Sequence, residues 1–140
     1  MSLMIHHFLP FLLIFTLVMA ITKSYFVAFA AKDICLKKCK IQSITMILAH
    51  LQLVFGIILF TQFAFSNPNW AAIMKDAASR YTYVEHPFLM LVAIILISVG
   101  KVKAKKIEDN AKSAKTTFIY FVIALVFILA RTPFNKLLAF

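Results

Sequence analysis

The sequence predicts an all-α integral membrane protein: four transmembrane helices in an up-down bundle, with a short interfacial helix between spans two and three. Three observations lead there. Of the 140 residues, 63% are hydrophobic and the mean hydropathy is +0.92, against about 45–50% apolar in an ordinary soluble domain. The chain has 15 Phe but only two Gly, Gly56 and Gly100, which suits long lipid-facing helices and not a turn-rich β fold. Its basic residues are gathered in short segments between apolar runs. At this length one domain is expected over 1–140.

The four spans are placed at about 5–30, 41–65, 84–100 and 117–138, each near the roughly 20 residues that cross a bilayer core. The first runs from Ile5 to Thr22 and continues through Tyr25 to Ala30. Ala28-Phe29-Ala30 resembles a signal cleavage site. However, no Lys or Arg precedes Lys23 and the apolar stretch is too long for a signal core, so a span is preferred. The second span covers Ile41 to Phe65. After it, Asn67 can cap a helix with Pro68 at its first position. Trp70, Ile73, Met74, Ala77 and Tyr81 then share one face, as in a helix lying at the membrane interface. The third span starts at Val84 or several residues earlier and reaches Gly100. The fourth starts at Thr117 and is interrupted by Arg131 and Pro133.

The net charge of +10 reports topology, not a nucleic-acid partner. Lys32, Lys37, Lys38 and Lys40 fill the first loop, and Lys101, Lys103, Lys105, Lys106, Lys112 and Lys115 the third. The second holds only Lys75 and Arg80. By the positive-inside rule the two Lys-rich loops (32–40 and 101–115) are cytoplasmic and both termini lie outside. These lysines also suit contact with anionic lipid headgroups. Cys35 and Cys39 stand one helical turn apart with no second Cys/His pair nearby to complete a zinc site, so they read as reduced thiols.

The residues that invite chemistry are intramembrane histidines, which are expensive in hydrocarbon and so are functional candidates by default. On span two at 100° per residue, Ser43, His50 and Thr61 form one stripe, and Thr45, Gln52 and Gly56 a second. Two polar stripes imply packing against neighbours on both, and His50 and Gln52 are read alternatively as inter-helix hydrogen-bonding groups. On span three His86, Ala93 and Gly100 recur every seven residues, leaving room for a helix or a flat cofactor. Pro87 frees a carbonyl one turn back, and a bend there would aim the His86 ring. Glu85 reads as an interfacial carboxylate paired with Arg80 or Arg131, the alternative being a proton acceptor beside His86.

Measured from the lysine boundary at 1.5 Å per residue, His50 is about 15 Å deep, whereas His86, His7 and Arg131 lie about 22–24 Å away. A six-coordinate haem b needs two axial imidazoles at similar depth. That favours His86 with His7 or His6 over His86 with His50. Arg131 and Arg80 would balance haem propionates, since guanidinium matches carboxylate. No Ser/His/Asp set, glycine-rich phosphate loop or HExxH motif is present, and five acidic residues leave little for paired-carboxylate catalysis or a divalent-metal site. The chain therefore does not read as an enzyme on its own.

The stretch Ala49-His50-Leu51-Gln52-Leu53-Val54-Phe55-Gly56, followed by Met74-Lys75-Asp76, Arg80 and Val84-Glu85-His86-Pro87-Phe88-Leu89-Met90, resembles a family of small bacterial four-span inner-membrane proteins often labelled cytochrome b-like. The similarity runs over most of the chain and is strongest from Ala49 to Lys106. Members tend to carry a histidine near the start of span one, which His6 or His7 matches; Phe8, Leu9, Pro10 and Phe11 stand where the family has Ser and Arg-Trp. The resemblance implies haem. The leading expectation is a haem b-binding membrane subunit passing electrons to or from quinone or a partner complex. His86 is then one axial ligand, with His50 or His7 the other. The alternatives are a non-catalytic accessory subunit of a larger inner-membrane complex and a small proton or solute conductor using His50, Gln52, Glu85 and His86. Its expected partners are lipids, other membrane subunits or further copies of the chain.

Overall fold

The computed structural model describes residues 2–30, 40–66 and 68–132. Cys35, Cys39, Asn67, Pro133 and the first loop's Lys32, Lys37 and Lys38 lie outside the described residues. The elements are α1 (Ser2–Phe29), α2 (Ile41–Phe65), α3 (Trp70–Lys75), α4 (Ala77–Arg80), a wide π turn (Tyr81–Glu85), α5 (His86–Lys106) and α6 (Asn110–Arg131). Four helical stretches are long and apolar enough to cross a membrane: Met4–Phe29, Ile41–Phe65, Ala77–Lys106 and Asn110–Arg131. This is an all-α, multi-pass membrane protein.

Neighbouring helices run antiparallel. The start of α1 meets the middle of α2, where Gln52 reaches the His6 carbonyl, and Gly56, one turn further on, lies beside the His6 ring. The start of α2 meets the end of α5 where Lys101 Nζ donates to Ser43 Oγ at 2.7 Å. The end of α1 meets the start of α6, where Phe29 packs edge-on to Phe118. The core is small residues around a few large ones: Leu17, Ala20, Ala49, Ala93, Ile97, Phe121 and Ala124 are buried together. The closest approach is α5 on α6. A Cβ added at Gly100 would lie 2.5 Å from Tyr120 Cβ, so the space expected beside Gly100 is taken by a helix.

Helix boundaries differ from expectation at two places, each for a local reason. The interfacial helix is capped by Asn69, whose side chain accepts from Ala72 N–H at 3.2 Å, with Pro68 before the cap instead of inside the helix. It ends at Asp76, which caps a second start by accepting from Ser79 N–H at 3.1 Å. From there the helix is continuous to Lys106, so the third apolar stretch starts at Ala77, several residues before Val84 as the sequence allowed. The fourth begins at Asn110 and not at Thr117, because Asp109 caps it by accepting from Ala111 N–H at 3.0 Å. Ser113 Oγ, donating to Ala104 O at 2.7 Å, ties that start to the end of α5. Lys112 and Lys115 therefore belong to α6, and Lys103, Lys105 and Lys106 to the last turn of α5, where cations offset the negative end of the helix dipole.

Candidate functional site

At the end of the bundle opposite the α5–α6 turn, side chains from four helices converge on backbone carbonyls that the helices themselves leave open. Pro10 lies inside α1 and has no N–H to give the carbonyl four residues back. That carbonyl belongs to His6, and Gln52 Nε2 donates to it at 3.1 Å. Gly56, one turn further along α2, lets the His6 ring lie close: a Cβ there would be 3.4 Å from His6 Cε1. The stripe Thr45, Gln52 and Gly56 thus faces the bundle.

The second half of the site is built on the π turn. The His86 N–H bonds Tyr81 O, five residues back, the pattern that defines such a turn. In an α-helix residues five apart lie about 140° apart; the wide turn brings them onto one face. Arg80 and Glu85 accordingly pair, Nε to Oε1, at 3.2 Å. Arg131 Nε reaches the other Glu85 oxygen at 3.5 Å, so Glu85 pairs with both arginines. Arg80 Nη1 also donates to Met74 O at 2.9 Å, and the Arg131 guanidinium lies 5.3 Å from the centre of the Tyr81 ring.

The last carbonyls of α6 have no partner within the helix. Tyr81 Oη donates to Ala130 O at 3.4 Å and Thr132 O at 3.3 Å, and His86 Nδ1 lies 2.6 Å from Arg131 O. A carbonyl only accepts, so this nitrogen carries the proton. In the neutral ring, Nε2 is then a bare lone pair. A backbone carbonyl that holds Nδ1–H and so fixes the tautomer is how histidines are oriented as metal ligands.

The His6 and His86 rings face each other edge-on, with centroids 6.5 Å apart and planes at 83°. His6 Nδ1 and Gln52 Oε1 are buried with no hydrogen-bond partner. The site therefore holds two imidazoles from different helices, two unsatisfied polar atoms, and two guanidiniums sharing one carboxylate.

No family model, curated protein or solved structure matches the chain.

The sequence-derived candidates divide. His86, Arg131, Arg80, Glu85 and Gln52 are brought to one end of the bundle. The ring set against His86 is that of His6; His7 is half-buried beside it in sequence. His50 is exposed, six residues and about 120° around α2 from Gly56, with Nδ1 2.7 Å from Met46 O of its own helix. Of its stripe, Ser43 meets α5 through Lys101, while His50 and Thr61 face outward. Packing on both stripes holds only at that one end. Sequence reasoning missed the part played by Pro10. Its signal was present: a proline four residues after His6 announces an open carbonyl.

The donor set can be tested against a haem. Metal–nitrogen bonds to imidazole are about 2.0–2.1 Å, so two rings on one metal have centres about 6 Å apart; the observed 6.5 Å fits. Among the described residues no three His, Cys, Asp or Glu side chains gather as a protein-only metal site would need, whereas a haem needs only two axial ligands.

Proposed function

We propose that this chain is a haem b-binding subunit of a bacterial inner membrane, taking part in electron transfer with quinone or a partner complex. Its Lys-rich end would be cytoplasmic and both termini outside. The observation that carries the reading is the His6–His86 pair, 6.5 Å apart on two spans, with the His86 tautomer set by Arg131 O. The resemblance to cytochrome b-like four-span proteins points the same way. In this reading His6 and His86 would hold the haem iron, and the haem would supply one-electron redox chemistry. Arg131 and Arg80 stand where they can balance propionates, and Glu85 holds both guanidiniums in place.

The test is the absorption spectrum of detergent-purified protein from haem-replete cells, oxidised and then dithionite-reduced. A Soret band with a sharp reduced α-band is expected. His6→Ala and His86→Ala should each abolish the low-spin signature, while His50→Ala leaves it intact. A featureless spectrum from a folded protein would overturn the reading.

A further inference from the structure

The outward face of α2 carries a feature that the histidine pair does not use. Ile47, His50, Val54, Ile57 and Thr61 are all exposed, and their spacing alternates between three and four residues. That is the seam of a helix that packs against another at a shallow left-handed crossing. Ile47, Val54 and Ile57 are 56%, 53% and 52% exposed, and α2 is the least buried of the four spans. Within this apolar strip His50 stands about 14 Å from the start of the helix, near mid-membrane.

The hydrogen bonding of His50 says what the strip is for. Its Nδ1 lies 2.7 Å from Met46 O and must carry the proton, because a carbonyl only accepts. The neutral ring thus turns a bare acceptor, Nε2, towards hydrocarbon. Thr61 Oγ1 already donates to Ile58 O at 2.8 Å, so it brings no spare proton to the seam. Acyl chains offer no donor to Nε2. Nor does a second copy paired through the same seam: two copies in the same membrane orientation would oppose His50 to His50 across a two-fold axis, acceptor against acceptor.

We propose that this seam docks a transmembrane helix of a different protein, one that presents a hydrogen-bond donor side chain to His50 Nε2 at mid-membrane depth. Ser, Thr, Asn, Gln, Tyr or Trp would serve. The proposal uses no residue of the His6–His86 site and stands or falls apart from the haem reading.

A photo-crosslinking amino acid at Val54, in membranes of the native host, tests it. One adduct with a single other polypeptide is expected, mapping by peptide mass to an apolar helix with such a donor at the level of His50. Inter-helix hydrogen bonds in membranes are worth about 1 kcal/mol, so His50→Leu should cut adduct yield roughly fivefold. His50→Gln, which restores an acceptor, should recover it. Adducts only with lipid, an adduct with a second copy of this chain, or a yield that His50→Leu leaves unchanged would each overturn the proposal. The absorption spectrum and helical content of each variant confirm that the bundle itself is intact.

Discussion

The two glycines of this chain lie towards opposite ends of the bundle and do different work. A Cβ on Gly100 would come within 2.5 Å of Tyr120 Cβ, an atom bonded to the α6 backbone; one on Gly56 would lie 3.4 Å from the edge of the His6 ring. Gly100 is the condition for two helices to touch. Gly56 gives room to the edge of one side-chain ring. The ends they mark are held together differently. At the Lys-rich end, close backbone approach combines with capped helix termini and lysine hydrogen bonds, Lys101 to Ser43 and Lys103 to Tyr120. At the histidine end, polar side chains answer carbonyls left open by Pro10 and by the end of α6. The first arrangement resists change of volume. The second resists loss of a polar group but tolerates small changes of shape.

That contrast can be broken most directly at the glycines. Gly100→Ala should destabilise the bundle by about 1–3 kcal/mol, because Tyr120 Cβ cannot swing aside and α5 and α6 must part. Gly56→Ala should change stability by less than about 1 kcal/mol, since a ring can tilt away more cheaply than a backbone can shift. Thermal unfolding of both variants in one detergent compares them. Equal losses would mean that the two ends are packed alike.

A smaller effect is expected from Glu85→Gln. It removes the carboxylate between two guanidiniums whose side chains, like that of Glu85, are 31–39% exposed, so screening limits the cost to about 1 kcal/mol. If haem is bound, its midpoint potential should rise, because a negative charge beside it is lost. An unchanged potential together with a normal spectrum would separate the arginine cluster from the cofactor.

The smallest expected effect is at Asp76, which is fully exposed. Hydrogen bonds from the Ser79 side chain and backbone hold its carboxyl below the usual value of 3.8. A depressed folded-state value means that the cap's contribution is complete above the ordinary carboxyl pKa. It is lost as pH falls below 3.8 through the depressed value. The protection of the Ser79 amide against exchange, relative to its intrinsic rate at each pH, should therefore fall on acidification through that window. Asp76→Asn, which caps without titrating, should remove the pH dependence while the histidine end stays unaffected.

Much of this protein was legible in its residues. Apolar runs of spanning length are recognisable without tertiary information, because a bilayer demands about 20 apolar residues and internal satisfaction of every backbone group. Counting rise per residue set His86 and Arg131 at one level, and adjacency to His86 with the need for a charge partner set Glu85 beside the arginines. The identity of the ring opposite His86 was less accessible, since His6 and His7 differ by about 100° of rotation and only the seating of α1 on α2 chooses between them. Two terminus signals also misled. Asn69, not Asn67, caps the interfacial helix, and Asp109 starts α6 a full two turns before the apolar run begins.

The sequence by itself determined the class of molecule, the number of spans and the position of each polar residue along its helix, because these depend on composition and on a fixed rise per residue. Only the tertiary structure decided which faces meet. It set His6 against His86, opened the π turn that pairs Arg80 with Glu85, and turned His50 outward. Rotation of a helix about its own axis is fixed by packing against neighbours distant in sequence. Inside a membrane, where the lipid-facing and bundle-facing sides of a helix are both largely apolar, the hydrophobic pattern along one segment carries little information about it.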